Sequence, residues 1–134
     1  MTLKMFQQKL IERIERLWDF PDDYYLLGLK AMRDAYSEPE VKRQMTLMIR
    51  VLICFMDEHG LTNRWLIDPS SAIPEDFVLR KGDLTKDGLL FYALSEKKWM
   101  SAHDRGVSIT DTGILVRTLK EIREWNWDMK KAQT

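Results

Sequence analysis

The sequence predicts a mainly α protein with a minor β component, folded as a single-domain helical bundle around one apolar helix. Three observations predict this class. A helix predicted over about 38–59 is almost entirely apolar through its middle, Met45–Met56. Segments before and after it repeat apolar residues at helical spacing, and only short runs in the second half are typical of strands. The chain has 134 residues, 45% of them hydrophobic and 31% charged, which is enough to bury a core in one domain.

The central helix is predicted over Ser37–Gly60 because both of its ends carry signals. Ser37 and Glu40 have the spacing of a capping box, and Pro39 suits the first turn. Gly60 suits the left-handed position that follows a helix. Its apolar run of roughly 12 residues is shorter than the ~20 that cross a membrane, so no membrane partner is expected. We expect this helix to form the core, and a subunit interface is the alternative.

Two amphipathic helices are predicted before the central one. The first spans Thr2–Asp19, with an apolar stripe at Phe6, Leu10, Ile14, Leu17 and Trp18. The second is predicted to start at Pro21, since proline is favoured at the first helical position, and to end near Tyr36. The short connections between these helices favour antiparallel neighbours.

Short strands and turns are predicted after Gly60. Leu61–Ile67 and Phe77–Leu79 are predicted as short strands, and Arg80–Asp83 as a turn. Two more helices follow in the sequence pattern, at Lys86–Met100 and Asp111–Met129.

The starts of these last two helices look alike in the sequence. Each follows a threonine, Thr85 or Thr110, that is expected to cap it. The polar segment Ser101–Ser108 between them is predicted to form a small winged-helix-like hairpin. The domain is thus expected to comprise N-terminal helices over 1–60, short strands and two helices over 61–129, and a frayed tail over 130–134.

The composition argues against several functional classes. With 21 basic and 21 acidic residues the net charge is zero, which is not typical of a dedicated nucleic-acid binder. The one cysteine, Cys54, is expected to act as a small buried hydrophobe and not as a nucleophile. No zinc-ligand spacing, phosphate loop or catalytic motif is present, so no enzyme activity, metal or cofactor is expected. Residues 1–20 are charged and lack the apolar stretch of a signal peptide, which makes the cytoplasm the expected compartment.

The favoured hypothesis is a non-enzymatic protein-binding module, such as an inhibitor, an immunity protein or a phage or bacterial accessory protein. Five tryptophans and eight methionines support it, because these side chains suit interface contacts. Trp125 and Trp127 lie on different faces of the last predicted helix, so at least one should be exposed. Both are candidate protein-binding residues, and a homodimer is an open alternative.

The alternative hypothesis is a winged-helix-like DNA-binding regulator, based on the order of the predicted elements. The helix Lys86–Met100 would enter the major groove, and the 101–108 hairpin would be the wing. Its candidate DNA-binding residues are Lys86, Tyr92, Ser95, Lys97, Lys98 and Arg105. Acidic residues interrupt this set, and the protein-binding hypothesis is therefore preferred.

Overall fold

A computed structural model describes residues 3–104, 106 and 108–132, without the side chains of residues 3, 4, 103, 104 and 126–132. In these residues the chain forms five α-helices and one two-stranded antiparallel sheet, which confirms the mainly α prediction. The elements are α1 Leu3–Trp18, β1 Tyr25–Gly28, α2 Leu29–Asp34, α3 Pro39–Glu58, β2 Val78–Arg80, α4 Lys86–Asp104 and α5 Gly113–Ala132. Within the described ranges, no helix is both long enough and apolar enough to span a membrane.

Helix α3 is the predicted central helix, and it ends, as predicted, at a glycine in the left-handed conformation. Gly60 adopts φ +68°, the left-handed conformation that glycine favours. The amides of Gly60 and Leu61 donate to the carbonyls of Asp57 and Met56, at 3.4 and 3.0 Å. These two bonds complete a Schellman motif and satisfy carbonyls that a helix end leaves without donors.

The predicted capping box at the start of α3 is wrong. The cap residue is Glu38, no side chain caps the helix, and Pro39 opens the first turn as expected. The Glu40 carboxylate is engaged by the guanidinium of Arg43, with an N–O distance of 2.6 Å, and by the side-chain amide of Gln44. A capping box requires the Glu40 carboxylate to accept a backbone amide at the start of the helix. Arg43, one turn further along, binds that carboxylate instead.

The core forms around α3, as expected. One hydrophobic cluster contains residues from all five helices and both strands, and α3 alone contributes Met45, Met48, Ile49, Leu52, Ile53, Phe55 and Met56. Helix α4 is tied to it by the stacked rings of Phe55 and Phe91, 5.6 Å apart, and by the Trp99 indole, which donates to the Met48 carbonyl at 2.9 Å. Burial of each large apolar side chain contributes roughly 1.5–3 kcal/mol, so this cluster is the main stabilising element.

The predicted second helix over Pro21–Tyr36 is wrong in its first half. Residues 25–28 form β1, and only the short α2 after it is helical. Strand β1 pairs with β2, with Leu27 opposite Leu79, and both leucines are buried. The prediction failed because the partner strand lies about fifty residues away, and a short apolar run does not by itself distinguish helix from strand.

The predicted strand at Phe77–Leu79 is confirmed as β2, shifted by one residue, whereas the predicted strand at Leu61–Ile67 is wrong. That segment makes a single bridge, between Thr62 and Leu84. The amides of Leu66 and Ile67 donate to the Asp57 carboxylate, at 3.1 Å, and are unavailable to a partner strand.

The predicted hairpin at Ser101–Ser108 is wrong in its first part. Helix α4 begins after Thr85, whose hydroxyl accepts the Gly88 amide at 3.0 Å as expected, but it continues to Asp104. It continues because Trp99 and Ala102, one turn apart, are both buried. Arg105 and Val107, which the hairpin also required, lie outside the described residues.

Helix α5 starts later than predicted, and the expected threonine cap at its start is absent. Its first residue is Gly113, and the Asp111 carboxylate accepts the Gly113 amide at 3.0 Å. The backbone remains helical to Ala132, so the tail predicted at 130–134 begins no earlier than residue 133, and residues 133–134 are outside the described part.

Gly88 is required where α4 starts beside the end of α3. A Cβ at this position would overlap the carbonyl oxygen of Leu61. We therefore expect Gly88→Ala to lower the free energy of unfolding by about 2 kcal/mol, the cost of overpacking exceeding the ~1 kcal/mol that alanine gains in a helix.

Gly113→Ala is the matched control for Gly88→Ala. A Cβ there approaches only side-chain atoms of Asp111 and Arg117, at 3.1 and 3.2 Å, and both side chains are exposed, so a shift of a few tenths of an ångström relieves the contact. Urea denaturation of both variants measures the difference. Equal stability of the two variants would contradict the close approach at Gly88.

Candidate functional site

The structure describes the side chain of one of the two residues in the predicted contact patch, Trp125 and Trp127. Trp125 is 7% exposed and belongs to the hydrophobic core, so its use as a surface contact was a wrong prediction. The side chain of Trp127 lies outside the described residues. Trp125 is buried because it continues the stripe of Leu115, Leu119 and Ile122 on the inner face of α5.

Several of the predicted DNA-binding residues are also engaged or buried. Ser95 is fully buried, and its hydroxyl has no hydrogen-bond partner among the described groups. The ammonium of Lys86 lies 2.6 Å from the Glu15 carboxylate on α1, and that of Lys98 lies 3.8 Å from Glu121 on α5. Helix α4 is therefore packed between other helices, a placement that leaves little of its surface to enter a DNA groove. Arg105 is outside the described residues.

The other two predicted DNA-binding residues, Tyr92 and Lys97, line a groove between α1 and α4. We call this surface the aromatic groove and define it by its twelve lining residues. They are Arg13, Ile14, Arg16, Leu17, Phe20, Tyr24, Leu26, Leu89, Tyr92, Ala93, Glu96 and Lys97. Its volume of about 560 Å³ lies within the range of ~300–1,000 Å³ that is typical of ligand sites in proteins.

Helical spacing explains why these residues share one surface. On α4, Leu89, Tyr92, Ala93, Glu96 and Lys97 follow the i, i+3, i+4, i+7, i+8 pattern of a single helix face. On α1, Arg13, Ile14, Arg16 and Leu17 occupy the last turns. Two helix faces therefore form the sides of the groove, and the chain that leaves α1 closes one end.

Exposed aromatic rings border this end of the groove. Phe20 is 45% and Tyr24 is 40% exposed, and the two rings meet edge to face with centroids 5.1 Å apart. Tyr25 next to them is also largely exposed. Large apolar groups together on a surface, beside charged residues, are typical of interaction sites.

A buried lysine fixes the backbone that carries these rings. The Lys81 ammonium donates to the carbonyls of Trp18 and Phe20, both at 2.6 Å, and lies 4.8 Å from the centre of the Trp18 ring. The amide of Lys81 donates to the Tyr24 carbonyl at 2.9 Å. Lys81 thus acts as a cationic cap on the C-terminus of α1 and holds the segment from Trp18 to Tyr24 against the rest of the protein.

Tyr92 contributes a neutral phenol to the wall of the groove. Burial raises the pKa of Tyr92 well above its usual value, and the nearby negative charge of Glu96 raises it further. Its hydroxyl donates to the Leu26 carbonyl at 3.4 Å. The side chain stays protonated at neutral pH, and its single O–H proton is directed to the Leu26 carbonyl inside the protein.

The charges around the groove are unbalanced. Arg13, Arg16 and Lys97 are exposed, and none of the three makes an ion pair with a described residue, whereas Glu96 is the single acidic lining residue. The groove thus has three positive charges and one negative charge on a chain of zero net charge.

A second exposed aromatic residue, Trp65, lies in the loop after α3. It is 61% exposed, on a backbone held by the buried Asp57 carboxylate. That carboxylate accepts the Thr62 hydroxyl at 2.8 Å and the amides of Leu66 and Ile67 at 3.1 Å. Trp65 is a single exposed ring, whereas the aromatic groove brings two exposed rings and three exposed cations together, so the groove is the stronger candidate.

Cys54 and His59 carry groups that often act in catalysis, and the structure describes the surroundings of both. Burial raises the pKa of the Cys54 thiol, which opposes the thiolate form that a nucleophile requires. The His59 ring packs on Phe55, with centroids 4.2 Å apart. In the part of the chain that the structure describes, no three His, Cys, Asp or Glu side chains come together as a metal site would require.

Comparisons with known proteins add no assignment. No family model, no curated protein and no solved structure matches the chain.

Proposed function

We propose that the protein is a non-enzymatic protein-binding module whose contact surface is the aromatic groove. The observation that carries this proposal is the pair of exposed rings, Phe20 and Tyr24, on a backbone fixed by the buried Lys81. Tyrosine and other large aromatic side chains dominate interface energies. A fixed backbone lowers the entropy that is lost on binding, so the exposed rings are suited to serve as anchors.

An inhibitor, an immunity protein or a phage or bacterial accessory protein would use such a surface without catalytic residues. Both sides of the groove are helical, so its shape is set by the packing of α1 against α4. A partner would then dock on a preformed surface, and we expect little backbone change on binding.

Site-specific photo-crosslinking tests the proposal in cells that naturally produce the protein. Phe20 is replaced by photoreactive benzoylphenylalanine, which keeps an aromatic ring at the mouth of the groove. Val116, which is 52% exposed on α5, receives the same replacement as a control. We expect a discrete protein adduct from position 20 that position 116 does not give.

The mass of the adduct identifies the kind of partner. An adduct twice the mass of the 15.9 kDa chain would make the partner a second copy, the homodimer alternative. Identical adduct patterns from positions 20 and 116, or no adduct from position 20, would refute the groove as the contact surface.

A further inference from the structure

We infer that the aromatic groove binds an apolar peptide segment flanked by acidic residues. This inference rests on the proposed function and adds the chemistry of the partner. It follows from an apolar base, a cationic rim and one anionic side chain among the lining residues.

The base of the groove is apolar and requires an apolar ligand group. Ile14 and Leu89 are buried beneath it, and Leu17 and Leu26 are half-buried at its sides. Water over such a surface is released when an apolar side chain of a ligand replaces it, and this release favours binding. The exposed rings of Phe20 and Tyr24 extend this apolar surface beyond the base.

The rim selects for negative charge. Arg13 and Arg16 are three residues apart on α1, which places both guanidinium groups on one side of the groove, and Lys97 of α4 lines it too. Since these cations have no described acidic partner, a ligand carboxylate gains an ion pair without breaking one. Arginine also binds carboxylates through two parallel hydrogen bonds, which fixes their orientation.

Glu96 argues for a peptide over a single-stranded nucleic acid. Nucleic-acid grooves combine aromatic rings with an uninterrupted positive path along the phosphates. Here the Glu96 carboxylate lies in the groove close to Tyr92, and the whole chain has no net positive charge. A peptide can place a neutral or basic side chain opposite Glu96, whereas a phosphate backbone repeats its negative charge at every unit.

Peptide selection tests the inference on the full chain. A phage-displayed library of random dodecapeptides is panned in parallel on the wild-type protein and on Phe20→Ser. We expect peptides that are enriched only on the wild type to combine aromatic or aliphatic residues with an excess of Asp and Glu. A synthetic representative is then measured by fluorescence anisotropy.

The rim is tested by charge reversal on exposed positions. We expect Arg13→Glu with Arg16→Glu to weaken binding of that peptide on the order of tenfold, which corresponds to ~1.4 kcal/mol. Arg117→Glu, an exposed arginine on α5, is the matched control and should leave the affinity unchanged. Thermal melting checks that all variants fold, and Arg13→Gln with Arg16→Gln replaces the reversed pair if it does not.

Other outcomes overturn the inference in distinguishable ways. Groove-dependent peptides that are neutral or basic would overturn the acidic ligand and leave the proposed function intact. Tight binding of a fluorescein-labelled 20-nucleotide oligo(dT), lost in the charge-reversed variant, would reassign the groove to nucleic acid. If every peptide enriched on the wild type is also enriched on Phe20→Ser, the inference fails. The crosslinking experiment then decides the proposed function separately.

Discussion

Replacing Lys81 by methionine is expected to lower the free energy of unfolding by about 3 kcal/mol, because two carbonyls lose their charged donor. The Lys81 side chain is 6% exposed, and its ammonium donates to the carbonyls of Trp18 and Phe20 at 2.6 Å. Methionine keeps the length and the apolar stem but offers no donor. Asp22 lies 3.4 Å from the same ammonium, but its side chain is 88% exposed, so this ion pair adds little.

The matched control for Lys81→Met is Lys86→Met. Lys86 is half-exposed and pairs with Glu15, a surface ion pair that is worth about 0–1 kcal/mol. Chemical denaturation of both variants measures the difference. Similar destabilisation by the two substitutions would show that Lys81 does not hold the segment from Trp18 to Phe20.

Replacing Asp57 by alanine is expected to cost about 3 kcal/mol and to release the loop that carries Trp65, since several donors lose one acceptor. Its carboxylate accepts the Thr62 hydroxyl at 2.8 Å and the amides of Leu66 and Ile67 at 3.1 Å. Alanine is favourable in a helix, so the loss does not come from α3 itself.

Amide hydrogen exchange separates the local effect of Asp57→Ala from global unfolding. The amides of Leu66 and Ile67 should exchange faster even under conditions where core amides of α3 stay protected. Glu58→Ala, which removes an exposed carboxylate from the next position, should leave both the exchange and the stability nearly unchanged. Unaltered exchange at Leu66 and Ile67 in Asp57→Ala would contradict the anchoring role.

Helix α3 was predictable because its signals are local. Pro39, the apolar run and Gly60 lie within one segment, and no distant residue has to be known to interpret them. Strand β1 was not predictable in the same way, because Leu27 is extended only through its pairing with Leu79. The capping box failed although its competitor is local, because Arg43, three residues after Glu40, binds the carboxylate that the box would have used.

The candidate site was only partly visible in the sequence. Tyr92 and Lys97 were singled out for a DNA-binding role, and the structure places them instead on a groove shared with α1. Trp125 is buried because it continues an apolar stripe, a signal that was present in the sequence. The positions of Arg13, Arg16 and Leu17, at i, i+3 and i+4 of α1, were a further signal for a common face.

The roles of Lys81 and Asp57 depended on the fold. Lys81 lies in a turn and binds the carbonyl of Trp18, which is far away in the sequence. Asp57 lies in α3 and binds the amide of Ile67 in the loop that follows. The anchoring role of Asp57 had one local signal in the sequence. An acidic residue on an apolar helix, shortly before Gly60, is placed to accept amides of the following loop.

Hydroxyl-radical footprinting tests most directly whether the aromatic groove is covered by a partner. Oxidation rates are compared between the purified protein and the same protein in native extract of the cells that produce it, with heat-denatured extract as a control. We expect Phe20, Tyr24 and Tyr25 to be protected in native extract, while Trp65 and Val116 react at unchanged rates. Equal oxidation of Phe20 and Tyr24 in both samples would contradict a protein partner at the groove, and protection of Trp65 alone would place the contact on the loop after α3.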